Sequence, residues 1–384
     1  MSDGNQKRSA ETKRNDRPGD RRRALRAMTA GAAGLVVGCS TTSENAGPAV
    51  QTRKRVQWRL ASSFPRSLDT LYGASEELAV RVEALSDGAF TIRCYPGGDM
   101  IPALGVLDGV QSGTVQAGHT ASYYYKGKNP ALSFDAGVPF GLTARQQFAW
   151  LYHGGGLELM REVFADFNAV NFPGGSTGAQ MGGWFRREVP GIADLKGLRM
   201  RIPGLGGEVM QRLGVECQVL GGGDIYPALE RGAIDATEWV GPYDDAKLGF
   251  DKVARYYYAP GWWEPGPTLS FLVNRKAWEE LPAEYQRIVE VAAAESSMKM
   301  TAKYDSLNPP ALRQLIDGGT QVRTFSDEIM AAARDASFAL YQEQAASDPG
   351  FRKVFEAWER FRQESTAWFA VSEGSFTRFA FQQG

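Results

Sequence analysis

The sequence predicts an α/β protein of two lobes with an additional C-terminal helical segment. Three observations predict it. Segments with strand period and helix period alternate from about residue 55, and a second such series starts near residue 178. A strand-like run at 266–274 then returns the chain toward the first series, and the last third of the chain reads as helix.

In chain order, "RVQWRLAS" alternates apolar and polar, placing Val56, Trp58 and Leu60 on one face of a strand. In "LDTLYGASEELAVRVEALSDG", Leu68, Leu71, Leu78, Val82 and Leu85 recur at helical spacing, and Gly88 suits the C-terminal cap. "AFTIRCYP" alternates again, which completes a strand–helix–strand unit and implies a parallel sheet. "ALGVLDGVQSG" reads as helix and "VQAGHTASYYY" as a strand ending in an aromatic loop. In the second series, "GAQMGGWFRR", "LKGLRMRIPG", "VECQVL" and "AIDATEW" read as strands, with "GGEVMQRLG" and "GDIYPALERG" as helices. "GPTLSFLVNRKAWEELP" is a returning strand followed by a helix. "AEYQRIVEVAAAESSMKMTAKYDSL", "SDEIMAAARDASFALYQEQAAS" and "FRKVFEAWERFRQESTAWFA" are helical.

The 384 residues are 43% hydrophobic and 23% charged, as in a soluble globular protein with room for two domains. Net charge is -1, but residues 1–38 carry nine Lys/Arg against four Asp/Glu, which leaves a mildly acidic body. Such a body is a poor partner for nucleic acid, whose polyanion needs a basic face. The N-terminus reads as a targeting segment. A basic stretch with Arg21, Arg22 and Arg23 precedes the short apolar run "TAGAAGLVVG", which is too short to span a bilayer. "VVGC" then offers Cys39 as a lipidation site; the other reading is a nearby cleavage that leaves Cys39 free. The expected partition is a signal segment at 1–38, a flexible tether at 39–54, a first lobe at 55–177 plus 266–305, and a second lobe with the C-terminal helices at 178–265 plus 306–384. Cys94 and Cys217 fall in strands of different halves and read as small apolar residues, a disulfide being the alternative. With two histidines and no CxxC, a His/Cys metal site is excluded.

HExxH and GxGxxG are absent, so no zinc-hydrolase or dinucleotide template stands out. The ligand-type residues are more informative. Arg201 ends a strand in "LRMRIPG", and its planar fork suits a carboxylate, although an inter-strand ion pair would use the same residue. In "DATEWVGPYDD", Glu238 stands beside Trp239 at a strand end, where a cation, a ligand or a salt bridge would each account for it. Tyr123 and Tyr124 either line a pocket or close a core edge. "GWWEPG" repeats the pairing of acid and tryptophan with Glu264.

Taken together, "TGAQMGGWFRRE", "DLKGLRMRIPGLGGEVMQRLG", "GAIDATEWVGPYDD" and "YYYAPGWWEPGPTLSFLVN", with "SGTVQAGHTASYYYKGKNPA" and "VPFGL", closely resemble the solute-binding proteins of tripartite ATP-independent periplasmic (TRAP) transporters, in the branch that binds 2-oxo acids and related monocarboxylates. The resemblance covers roughly residues 55–375. It implies a periplasmic binding protein fold, with hinge-connected α/β domains closing on a small organic acid held with a metal cation, sodium or calcium. By the same resemblance Arg201 clamps the substrate carboxylate and Gln180 bridges substrate and cation. Glu238 ligates the cation through its carboxylate and Trp239 through its backbone carbonyl. Glu264, Tyr123 and Tyr124 complete the substrate site. Trp263 stands where relatives often have histidine. The implied partners are TRAP membrane subunits, and relatives dimerise through C-terminal helices, where this chain places Phe351, Val354, Phe355, Trp358, Phe361 and Trp368 at helical spacing. An exported hydrolase or lyase working through carboxylates, or a sensory module of the same fold, are the alternatives.

Overall fold

The computed structural model describes residues 53–381. The expected signal segment, Cys39 and nearly all of the expected tether lie outside that range.

Two sheets organise the chain. The first contains β1 (Val56–Ser62), β2 (Phe90–Tyr95), β3 (Ala117–Thr120), β4 (Ala169–Ser176) and, arriving later, β10 (Thr268–Asn274), in the order β2-β1-β3-β10-β4. The second contains β5 (Trp184–Phe185), β6 (Arg199–Arg201), β7 (Glu216–Gln218), β8 (Ala236–Thr237), β9 (Tyr256–Ala259) and β11 (Gln321–Thr324), in the order β11-β9-β5-β8-β6-β7. β1 pairs parallel with β2 and β3, as the strand–helix–strand pattern implies. β10 runs antiparallel to both β3 and β4, so the first sheet is mixed.

Several elements differ from the sequence reading. The stretch expected to form a strand around 178–187 pairs only at Trp184 and Phe185. Gly183, at φ +83°, lies so close to β8 that an added Cβ would meet the Thr237 carbonyl oxygen at 2.3 Å, while on the β9 side the Gly182 N–H donates to the Tyr258 carbonyl at 2.7 Å and the Tyr258 N–H to the Gly183 carbonyl at 2.9 Å. The helix expected to stop at Leu307 runs 35 residues, Ala283–Asp317, straight through Pro309 and Pro310. Burial of Ala311 and Leu315 beyond the prolines offsets the helical hydrogen bonds they cannot make. This helix packs on β4, on the Leu71–Leu85 helix and on the Pro242–Leu248 helix, and so touches elements of both sheets. Cys94 and Cys217 are free thiols in β2 and β7, and both are half-buried rather than interior.

The Pro349–Val371 helix lays Phe351 and Trp358 against Phe134, with ring centroids 5.2 and 5.3 Å apart. Phe351, Val354, Phe355 and Trp358 are buried there, whereas Trp368 is 63% exposed. Val371, Phe376, Phe379 and Phe381 beyond it are also exposed. Among the described residues no helix is long and apolar enough to cross a membrane.

Candidate ligand site

A small cavity of about 10 Å³ opens where the carboxyl ends of several strands face each other. From the first sheet, Phe64 and Leu71 follow β1, Tyr123 and Tyr124 follow β3, Thr177 follows β4, and Leu269 lies in β10. From the second come Arg201 at the last position of β6 and Glu238, Trp239 and Val240 just after β8, while Gln180 sits on the segment crossing between the sheets. The crevice outside the carboxyl ends of α/β strands is where this architecture presents loops to a ligand.

Parallel pairing sets Arg201 beside Thr237, which puts the next residue, Glu238, within reach of the guanidinium. Arg201 Nη1 donates to the Glu238 carboxylate and, at 3.3 Å, to the Glu238 carbonyl, while Nε donates to the Leu220 carbonyl at 3.1 Å. The guanidinium lies over the Trp239 ring, 5.1 Å from its centroid. The Trp239 ring in turn rests on Gly222, where an added Cβ would come within 2.7 Å of it. The sequence alone left open whether Glu238 answers a cation, a ligand or an ion pair; its direct protein partner is Arg201.

Glu264 reaches the same space, buried with Tyr123 and Gln180 against its carboxyl group. Burial is the largest influence on Arg201 and opposes its charge, but Glu238, Tyr124 and Tyr123 together more than offset it and raise its pKa. Burial raises the pKa of Glu238 above the ordinary range despite Arg201, and burial together with the Glu238 charge raises that of Glu264 further. Two carboxyl groups, of which only Glu238 is paired with Arg201, therefore lie near one guanidinium in a dry space.

Four buried atoms at this site have no partner in the protein. Two are acceptors, Gln180 Oε1 and Glu264 Oε2; two are donors, Arg201 Nη2 and Trp239 Nε1. Buried polar groups are nearly always satisfied. Unpaired oxygens suit a hard cation, and unpaired N–H groups suit an anion. Among the described residues no three His, Cys, Asp or Glu side chains converge on one point, so a cation here would draw on amide and carbonyl oxygens as well as carboxylates.

Of the seven residues singled out in the sequence, Tyr123, Tyr124, Gln180, Arg201, Glu238 and Trp239 line this cavity, and Glu264 is buried beside Tyr123 and Gln180 without lining it. Trp263 does not line it; its ring packs on Trp262 at 4.7 Å and on Phe325 at 5.9 Å. Sequence reasoning missed Thr177, whose hydroxyl oxygen accepts from Gln180 Nε2 at 3.2 Å, and the apolar wall of Phe64, Leu71, Val240 and Leu269. Phe64, Thr177 and Val240 lie just beyond strand ends and Leu269 within one, whereas Leu71 opens a helix; no other sequence signal marks them. His119 lies outside the site. It is buried between the Ser75 hydroxyl and the Gly174 carbonyl, and burial lowers its pKa to about 4, so the ring stays neutral.

Comparison with known proteins identifies the family. Residues 61–348 match the family DctP, bacterial extracellular solute-binding protein, family 7. The chain is 54% identical over 341 residues to the monocarboxylate 2-oxoacid-binding periplasmic protein of Nostoc sp. (strain PCC 7120), a match that spans 89% of this chain and 93% of that one. A TRAP transporter solute-binding protein from Bordetella bronchiseptica RB50, a mixed-occupancy dimer with copurified calcium and picolinate, superposes with a TM-score of 0.85 at 49% identity, covering 86% of this chain and 98% of that chain. One from Pseudoalteromonas atlantica T6c, with bound sodium and pyruvate, gives 0.82 at 42% identity, covering 85% and 99%. With a two-sheet fold, a cleft at the strand ends and a family match over most of its length, this chain belongs to the DctP family of bacterial extracellular solute-binding proteins, the solute receptors of TRAP transporters.

Proposed function

We propose that this protein captures a small 2-oxo acid or related monocarboxylate together with a sodium or calcium ion, by closure of the two lobes, and hands it to TRAP membrane subunits. The observation that carries the reading is the pairing of unsatisfied groups at the cleft, with two donors beside two acceptors. Arg201 and Trp239 face the anion, and Tyr123, Tyr124 and Glu264 shape its surroundings. Gln180, Glu238 and the Trp239 backbone carbonyl hold the cation, whose positive charge offsets the two carboxyl groups and the incoming acid. Pyruvate and picolinate, the ligands bound by the two crystallised relatives, share a carboxylate with a lone-pair donor on the adjacent carbon, which suits shared coordination of one cation.

The role is binding rather than catalysis. The lobes divide as 55–177 plus 266–305 and 178–265 plus 306–384, and the protein works in the periplasm, tethered through lipidated Cys39. It forms a homodimer through its C-terminal helices. The exposure of Trp368, Val371, Phe376, Phe379 and Phe381 along them supports that arrangement. Titration calorimetry with pyruvate tests the central claim. Saturable heat that weakens after the cation is chelated supports it, and no heat in either sodium or calcium buffer defeats it. Light scattering that finds a monomer at micromolar concentration defeats the dimer.

A further inference from the structure

Behind the ligand site, a second set of polar contacts joins the two lobes. Thr70 stands at the N-cap of the Leu71–Leu85 helix, yet its hydroxyl caps nothing in that helix. Instead it donates to both carboxylate oxygens of Asp244, at 2.7 and 2.8 Å. Asp244 belongs to the Pro242–Leu248 helix after β8 and also accepts from the Tyr304 hydroxyl of the long helix at 2.5 Å. Thr70, Asp244 and Tyr304 are all buried. Beside them, on the outer side, Asp69 pairs with Lys247 and, at 2.7 Å, with Lys303.

This contact is built into the same short segment that carries the ligand site. Glu238 and Trp239 are followed by Val240 and Gly241, whose backbone N–H groups donate to Asp245 at 3.2 and 3.1 Å. Asp245 is fixed in turn by Trp184 Nε1 at 2.9 Å and the Tyr257 hydroxyl at 2.7 Å, both from the second sheet. The neighbouring Asp244 points the other way, to the first lobe. There Thr70 adjoins Leu71, which lines the cavity opposite Val240. One rigid turn therefore presents the binding carboxylate on one side and the inter-lobe contact on the other.

We propose that Thr70 and Asp244, flanked by Asp69 and Lys247, form a clasp that latches the closed cleft and sets how long a bound acid is held. They are positioning residues: none of the four contacts the unsatisfied atoms of the ligand site, and the clasp acts through the relative placement of the lobes. The idea rests on the receptor reading above.

The test compares the parent chain with Thr70→Val, which keeps the shape and deletes the hydroxyl, and Thr70→Ser, which restores the hydroxyl. Small-angle X-ray scattering without added acid reports lobe separation, and stopped-flow tryptophan fluorescence with pyruvate reports its association and release. Thr70→Val is expected to show a larger radius of gyration and release faster by about tenfold, the effect of one hydrogen bond to a charged group, with association nearly unchanged. Thr70→Ser is expected to return both to parental values. Equal scattering and equal release in the Val variant and the parent overturn the clasp, as does a Ser variant that behaves like Val. Should Thr70→Val fail to fold, Lys247→Gln on the outer side of the clasp carries the same comparison. If the parent takes up no pyruvate, the receptor reading fails, while the scattering comparison still decides the clasp.

Discussion

Arg201 and Glu238, 37 residues apart in the chain, meet guanidinium to carboxylate with side chains only 1% and 2% exposed. Parallel pairing of β6 with β8 brings them together: Arg201 ends β6 and Glu238 directly follows β8. A fully buried ion pair contributes little net stability by itself, because desolvation of both charges opposes their attraction. Its worth here is placement: it holds a guanidinium with its Nη2 unpaired where an anion would enter.

Replacing Arg201 by alanine leaves Glu238 buried without its partner. The expected loss is about 3–5 kcal/mol, felt both in folding stability and as loss of measurable pyruvate binding. Arg201→Lys keeps the charge and loses the fork, and should bind weakly. Calorimetry decides this; an alanine variant with near-parental affinity would show the site to be misplaced.

Cation dependence follows from two buried carboxyl groups near a single guanidinium, which pairs with Glu238 alone. Pyruvate affinity should fall at least tenfold after chelation of divalent ions in sodium-free buffer and recover on adding calcium or sodium. Glu238→Gln, which removes a hard anionic ligand, should blunt that recovery. Affinity indifferent to every cation tried would remove the metal from the site.

Gly222→Ala offers a test that leaves every charged group in place. The new methyl group would meet the Trp239 ring at 2.7 Å, so the ring must move off the Arg201 guanidinium. A melting temperature close to the parent's is expected, with pyruvate binding several-fold weaker and a changed tryptophan emission. Unchanged emission together with unchanged affinity would mean that Trp239 does not depend on this support.

Asp135 supplies a pH prediction away from the ligand site. Burial raises its pKa from 3.8 to about 6, even though Asn171 donates to it at 2.7 Å and Ser270 also donates. The fold therefore favours the protonated form. Stability from this group is full below pH 4 and is lost as pH rises through 6, by about 3 kcal/mol. Asp135→Asn should flatten that part of the stability profile in chemical denaturation measured between pH 4 and 7. An unaltered slope would show that Asp135 titrates normally.

Much of the site was legible in the sequence because its polar residues sit at strand ends in recognisable segments: Arg201 in "LRMRIPG", Glu238 and Trp239 in "DATEW", Glu264 in "WWEPG". Their convergence was implied by family resemblance, since spacing along the chain says nothing of distances across a cleft. β4 escaped notice because "AVNFPGGS" reads as a loop, with a proline and two glycines; packing by β10 and the long helix makes it a strand. Edge strand β11 is four partly exposed residues with little apolar signal. Nothing in the sequence marks Asp244 as buried, and its partner Thr70 lies 174 residues earlier. Local pattern cannot report such a partner.

The position of β10 also bears on how the chain is made. This strand lies between β3 and β4 yet is encoded after most of the second sheet. Until Asn274 has left the ribosome, β3 and β4 each present a bare edge to other nascent chains, a hazard of the kind that holding chaperones relieve. No fragment ending before Thr268 contains a finished first lobe, so a stalled or truncated product is a substrate for proteolysis rather than a half-size receptor.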